Sequence, residues 1–536
     1  MRRALLLVAL VLAAHGCSRC GRISAGPSPE LARVLPRDAD LLVLVPDLGA
    51  LGDGLTHLQQ LKLASFAAQL QGAASASELV GSVMFQLGAD LRSRESMQAA
   101  GLDPSRGAAA VWLKGGGGGG VYAVAAVKDE KAFKDLARRL ARDRLGAGVA
   151  SEANGVLTFS RTQGGPPAMS VLLRDGWGFV AQGPLGARLP ELASVGESAA
   201  LSTEAEYQDA LKRLPRERQV LLRLPPTSPY SRRGAMHGAL ASLALGANAL
   251  TVSTVQPWPN TQTSVELLKP EGNAPDLFGM AAPDAFLLAR SLGNPAGLAP
   301  LWPVLAGRWV ENAVKESGFD LNGEIFGNLK PGSVLSLSLA PTVNLATGVP
   351  QLDVRRTNPF GYVHLVVAGQ VKDPAKAART LEAIPKVAQR FGATLTPATR
   401  EGQRVYLTHY AQGEGAHLAL VGDTVLMAAP VSMLDESIAR AREGKAAEGM
   451  AADAAFKPVF DGAMAVAIDL RRLAQSVRAL PSSAWGIGGF AMKATALRWL
   501  DATDDLQAIT FRAGFAGGAV ESELQLRFQA PAQAPR

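Results

Sequence analysis

The pattern of apolar and polar positions opens abruptly. After Met1-Arg2-Arg3, residues 4–14 contain no polar side chain. A basic start followed by a short apolar run is the layout of a secretory signal peptide. The run falls well short of the roughly 20 apolar residues a bilayer-spanning helix needs. No later stretch meets that length. Residues 236–255 come closest, but they are alanine-rich, carry His237 and are broken by Gly238 and Gly246.

Beyond the leader the chain alternates short strand patterns with helical ones, and it states the same order twice. Leu35-Pro36-Arg37-Asp38-Ala39 leads into an apolar strand, as does Ala282-Pro283-Asp284-Ala285. A leucine-rich stretch of helical period follows in each case, at 55–70 and at 298–314, the latter with Trp302, Leu305, Trp309 and Val310 on one stripe. Residues 122–129 and 363–373 each read as a strand ending Val-Lys-Asp and opening a helix. Asp129 and Asp373 are natural N-caps, because a short carboxylate accepts the free amides of a first turn. Pro374 then occupies the first helical position, where its missing N–H costs nothing. Phe133, Leu136, Ala137 and Leu140 form one apolar face, and Ala377, Leu381, Ile384 and Ala388 the other.

Short strands with polar turns follow in both halves: 156–161 with 404–409, 170–173 with 418–421, and 179–181 with 425–428. Tyr207 matches Phe456, and 220–224 matches 464–470. Residues 250–255 and 263–268 match 506–513 and 520–528. Short strands with tight turns favour antiparallel pairing. The expected fold class is therefore α+β, as two similar tandem halves, each a mostly antiparallel sheet with helices packed on one face. The expected segments are a signal peptide at 1–16, a lipidated cysteine and flexible tether at 17–30, repeats at 31–270 and 271–528, and a disordered Pro/Ala/Gln tail at 529–536.

Leu12-Ala13-Ala14-His15-Gly16-Cys17 resembles a bacterial lipobox, with a small residue before the cysteine, although Ala14 and His15 depart from the usual pattern. The resemblance implies cleavage before Cys17 and a diacylglycerol on its thiol, and more than one acyl chain is what stable membrane retention requires. By the same resemblance, Ser18 implies the outer membrane as destination. The residues around Arg2 and Arg3 lack a twin-arginine pattern. Cys17 and Cys20 are the only cysteines and form a C-x-x-C, but no second pair exists to complete a zinc site and no helix or strand pattern frames it. The body has no disulfide and, at this length, needs none.

More widely, the chain resembles an uncharacterised family of bacterial envelope lipoproteins, a domain of unknown function. The resemblance rests on the signal peptide, the Leu-Pro-x-Asp-Ala opening at 35–39 and the Val-Lys-Asp-Pro-Ala-Lys-Ala step at 371–377. It implies architecture and location, not chemistry.

Composition changes this picture little. The formal charge is +7, and Arg2 and Arg3 leave with the signal. Basic residues are scattered and aromatics are only 6%, so there is no basic stripe with stacking platforms and nucleic acid is not an expected partner.

The chain holds no G-x-S-x-G, H-E-x-x-H or G-x-x-x-x-G-K-[ST]. The glycines at 115–120 run into a strand rather than a helix N-terminus, which fits a hairpin tip and not a phosphate cradle. Gly486-Ile487-Gly488-Gly489, between Trp485 and Phe490, reads as a mobile loop. His57 and His237 stand alone. His364, His409 and His417, with Glu401 or Glu414, are the group to weigh for a metal, but the first half has no histidines at the equivalent places. Asp175 and Asp504-Asp505 sit in turn-like settings rather than as an acid–base pair.

No catalytic residue, metal site or cofactor is expected. The reading is a non-catalytic envelope lipoprotein, held to the membrane by its N-terminal lipid and binding an apolar ligand or another envelope component. A surface-acting assembly protein and a hydrolase with an unrecognised site remain as alternatives.

Overall fold

In this computed structural model the described residues are 29–113, 120–228, 238–258, 263–299, 312, 314, 316, 318–339, 363–410, 413–480 and 489–529, except 247, 273 and 391. The signal run, Cys17, Ser18, Cys20, His237, Trp302, Leu305, Trp309, Trp485 and the residues 530–536 lie outside them. The chain forms two compact units: Met1–Trp258 with Gln525–Arg536, and Pro259–Leu524. Among the described residues no helix is long and apolar enough to cross a membrane.

The first unit contributes β1 (Leu41–Val45), β2 (Ala108–Leu113), β3 (Gly120–Ala126), β4 (Val149–Ala153), β5 (Val156–Ser160), β6 (Pro167–Arg174), β7 (Trp177–Gln182), β8 (Val220–Leu224), β9 (Ala239–Leu245) and β10 (Ala249–Pro257). All pair antiparallel, in the order β4-β5-β6-β7-β3-β2-β1-β8-β9-β10. Leu113 pairs with Gly120, so the glycine run joins the two strands of a hairpin.

The second unit contributes β11 (Leu287–Ser291), β12 (Ser333–Leu339), β13 (Val363–Gln370), β14 (Thr394–Arg400), β15 (Gln403–Tyr410), β16 (Gly413–Glu414), β17 (His417–Val421), β18 (Thr424–Ala429), β19 (Met464–Asp469) and β20 (Leu506–Ala516). Its antiparallel order is β14-β15-β17-β18-β13-β12-β11-β19-β20, with β16 a short pairing on the end of β15. The last strand, β21 (Ala519–Phe528), ends in the first unit, where the Phe528 amide donates to the Asn248 carbonyl at 2.7 Å.

Both predicted caps form. The Asp129 carboxylate accepts from the Ala132 amide at 3.0 Å and starts the helix Glu130–Leu145, which ends at Gly146 with φ 63°. Phe133, Leu136, Ala137 and Ala141 are buried against Leu157, Phe159, Met169 and Val171. Asp373 accepts from the Lys376 amide at 2.9 Å and starts Pro374–Gln389. Replacing Asp373→Ala should cost about 1 kcal/mol, as losing a cap does. Urea unfolding of the full chain would read this as a lower midpoint with unchanged slope, and an unchanged midpoint would deny the cap its role.

Three expectations need correction. In the second unit helices cover both sheet faces, not one. Leu381 packs with Leu395 and Tyr406 on one side, whereas Met433, Leu434 and Ile438 of the helix Val431–Glu443 pack on Val405, Ala419 and Leu426 on the other. Val405 and Tyr406 are neighbours pointing to opposite faces, and both are buried. The stretch 55–70 is two helices, Leu48–Leu58 and Lys62–Leu70, because Leu61 between them is extended and tucks inward. Residues 263–268 form a 3-10 helix rather than a strand, burying Val265 and Leu267. Strands β4, β12, β14 and β9 went unrecognised, the last between Gly238 and Gly246 in the alanine-rich stretch. Alternation over so few residues does not separate a strand from a tight turn.

Candidate functional site

The histidine group separates. His409 and His417 come together edge to face, with ring centroids 6.3 Å apart, on β15 and β17. His417 is buried, its Nδ1 accepts from the Thr408 amide at 2.9 Å, and its Nε2 lies 3.6 Å from Glu414 Oε2. Burial holds its pKa below the usual histidine value, against the opposing pull of Glu414. An imidazole with Nδ1 engaged as an acceptor and Nε2 near its own hairpin fixes a turn. Glu401 sits instead in the β14–β15 turn, with φ 46°. Among the described residues no group of three or more His, Cys, Asp or Glu is placed to hold a metal. Asp175, with φ 53°, occupies the β6–β7 turn, and Asp504 and Asp505 lie in the turn before β20.

His364 goes elsewhere. It stands near the start of β13, paired with Ser338 of β12, and lines a cleft of about 530 Å³ in the second unit. That volume falls within the range of small-molecule sites. The walls are Pro283, Leu339, Met433, Ala479 and Leu480, and Asp284, His364, Glu436 and Ser476 supply polar groups. Asp284, singled out in sequence only as the opening of the second half, thus reaches the cleft.

Each wall has a local cause. The helix Leu470–Ala479 starts at buried Asp469, whose carboxylate accepts from the amides of Arg471 and Arg472 at 3.0 and 3.2 Å. Arg472 then bridges Asp469 at 3.2 Å and the Pro283 carbonyl at 3.1 Å, tying this helix to the loop before β11. Gly449, with φ 58°, lies against the same carbonyl, where a Cβ would stand 2.0 Å from the oxygen. On the opposite wall Arg440 is buried and binds Glu436 at 2.9 Å and Glu448 at 3.1 Å. No lysine or arginine lines the cleft among the described residues, so its polar groups are mostly acceptors. The arrangement can bury an apolar body and offer its head hydrogen-bond acceptors.

Sequence reasoning found His364 and Asp284 but not the cleft. Its residues come from 283 to 480 and meet only through the order β13-β12-β11, which no local pattern encodes. Trp485 lies outside the described residues, and Phe490 falls in the helix Gly489–Ala502 rather than in a loop.

No family model matches the chain, and no curated protein matches it. Among solved structures, crystal forms IV and I of TP0453 align at 9% and 10% identity over 46% and 44% of this chain and 87% and 81% of those chains. Their TM-scores of 0.25 and 0.24 are too low to establish a shared fold.

Proposed function

We propose that the chain is a non-catalytic lipoprotein of the bacterial envelope, anchored through Cys17, whose second unit binds an amphipathic molecule in the cleft beside His364. The observation that carries the binding reading is the cleft itself, with its walls of Pro283, Leu339, Met433 and Leu480 and its polar groups Asp284, His364 and Glu436. Acceptor-rich polar groups favour a head that donates hydrogen bonds over a carboxylate or phosphate. The anchor rests on the lipobox-like run before Cys17, and Ser18 points it to the outer membrane.

The same reading takes the two units as copies of one module. Nine strands follow one another in the same spatial order in each. The caps Asp129 and Asp373 share backbone angles of −127°, 104° and −124°, 101°. The isolated bridges Leu102–Val127 and Leu329–Val371 recur just before them. In this alignment β9 matches β20 and β10 matches β21, one strand earlier than the sequence pairing at that point.

The test is native against denaturing mass spectrometry of full-length protein taken gently from its own membrane. The expected result is an acylated Cys17 terminus, plus a non-covalent mass that is lost on denaturation. Ala479→Trp, which fills the cleft from an exposed position, should cut that occupancy at least tenfold. A terminus cut elsewhere ends the anchor. Bare protein in both spectra ends the ligand reading and favours a surface-acting assembly role, for which exposed Leu70 and Phe85 on neighbouring helices offer a contact.

A further inference from the structure

A second site stands in the first unit, apart from the cleft. The helix Ala205–Arg213 begins at Glu204 and lies over the ends of β8, β9 and β10. Beneath it, Glu204, Tyr207 and Arg223 line a small cavity of about 30 Å³, together with Pro225, Leu240 and Val255. Arg223 is 5% exposed and Tyr207 3%. Arg223 Nη2 bonds Glu204 Oε1.

That pair leaves Arg223 Nη1, Glu204 Oε2 and the Tyr207 hydroxyl buried with no partner among the described residues. Burial pushes the Tyr207 phenol up to about 12, so it keeps its proton at any working pH. Leaving a buried polar group without a partner forfeits its hydration with nothing in return, and native structures rarely carry three such groups together.

The chemistry of the three atoms defines what relieves that cost. Arg223 Nη1 can only donate, Glu204 Oε2 can only accept, and the phenol can do either. The occupant must therefore carry both an acceptor and a donor. An anion would face Glu204, and a cation would face Arg223. A water needs only about 10–15 Å³ of such space, so the cavity has room for one, and a buried water typically makes about three hydrogen bonds.

We propose that Glu204, Tyr207 and Arg223 form a binding site for one ordered water, which bridges the start of the helix Ala205–Arg213 to β8. The bridge completes the hydrogen bonding of the ion pair and fixes the helix on the sheet. The matching position in the second unit is Phe456, also buried, which offers no hydroxyl for such a bridge.

Tyr207→Phe in the full chain tests the site, because it removes one oxygen and nothing else. A hydroxyl bonded to water is missed when deleted, whereas an unbonded one is better gone. The expected result is a lower urea midpoint, together with faster amide exchange in β8. A crystal structure of the parent protein should show one water within hydrogen-bond distance of all three atoms. A midpoint unchanged or raised by Tyr207→Phe overturns the proposal, as does a dry cavity. Density larger than water, or a side chain of the protein itself on these atoms, overturns it equally.

Discussion

Glu204→Ala should destabilise the first unit by about 3–5 kcal/mol, because it leaves the Arg223 charge buried without its counter-charge. The Arg223 side chain is 6% exposed and that of Glu204 20%, so the pair stands largely out of water. An exposed pair would contribute less than about 1 kcal/mol and its loss would pass unnoticed. Here the penalty falls on the survivor: Arg223 sits in β8, paired to Leu42 of β1 and Leu240 of β9, and cannot swing to solvent without parting strands. The natural stability of a domain is only about 5–15 kcal/mol, so this one change threatens the unit. Hydrogen exchange resolves it, as the free energy of opening for amides of β1, β8 and β9. The double variant Glu204→Leu/Arg223→Met should recover most of the loss, since an apolar pair of similar volume replaces a buried ion pair at little cost. If Glu204→Ala costs under about 1 kcal/mol, the pair is solvated in solution and the buried geometry is wrong.

That pair also marks the limit of what the sequence discloses. Local rules located much of the architecture. Asp129 and Asp373 were legible as caps because the carboxylate and the amides it binds lie within one turn. The strands flanking Gly115–Gly120 were legible because a glycine run between apolar stretches marks a hairpin. Glu204 and Arg223 were not, since each reads alone as an ordinary surface charge, and only the packing of a helix over β8 buries them together. Leu418, Ala419 and Leu420 illustrate the same limit. Neighbouring apolar residues on one strand imply cover on both faces, but which helices supply it depends on the fold: Ala419 belongs to the core beneath Val431–Glu443, and Leu418 and Leu420 pack beside Leu381. The cleft around His364 combines both difficulties, drawing on three strand ends and two helices.

Acid should loosen the first unit well before its carboxylates titrate, through His57. This histidine lies on Leu48–Leu58 and is 8% exposed. Its Nε2 has no hydrogen-bond partner among the described residues. Burial lowers its pKa from 6.5 to about 4. The direction of the linkage follows from proton counts. Below pH 6.5 the unfolded chain takes up a proton that the folded unit refuses until about pH 4. The stabilisation is thus complete above pH 6.5 and is lost as pH falls from there towards 4. At about 1.4 kcal/mol per pKa unit, the loss approaches ~3 kcal/mol. The carboxylates held low by arginine partners, Asp90 beside Arg92 and Asp143 beside Arg142, act only in more acidic solution. His417 has a lowered pKa and weakens the second unit in the same direction, so a global transition would blend the two. Hydrogen exchange at pH 7 and pH 5, followed on peptides of Leu48–Leu58, separates them. Opening should become easier at pH 5 in the parent and stay constant in His57→Leu, which keeps the volume and removes the titration. An equal pH dependence in both proteins would show that His57 takes its proton in the folded state as readily as in water.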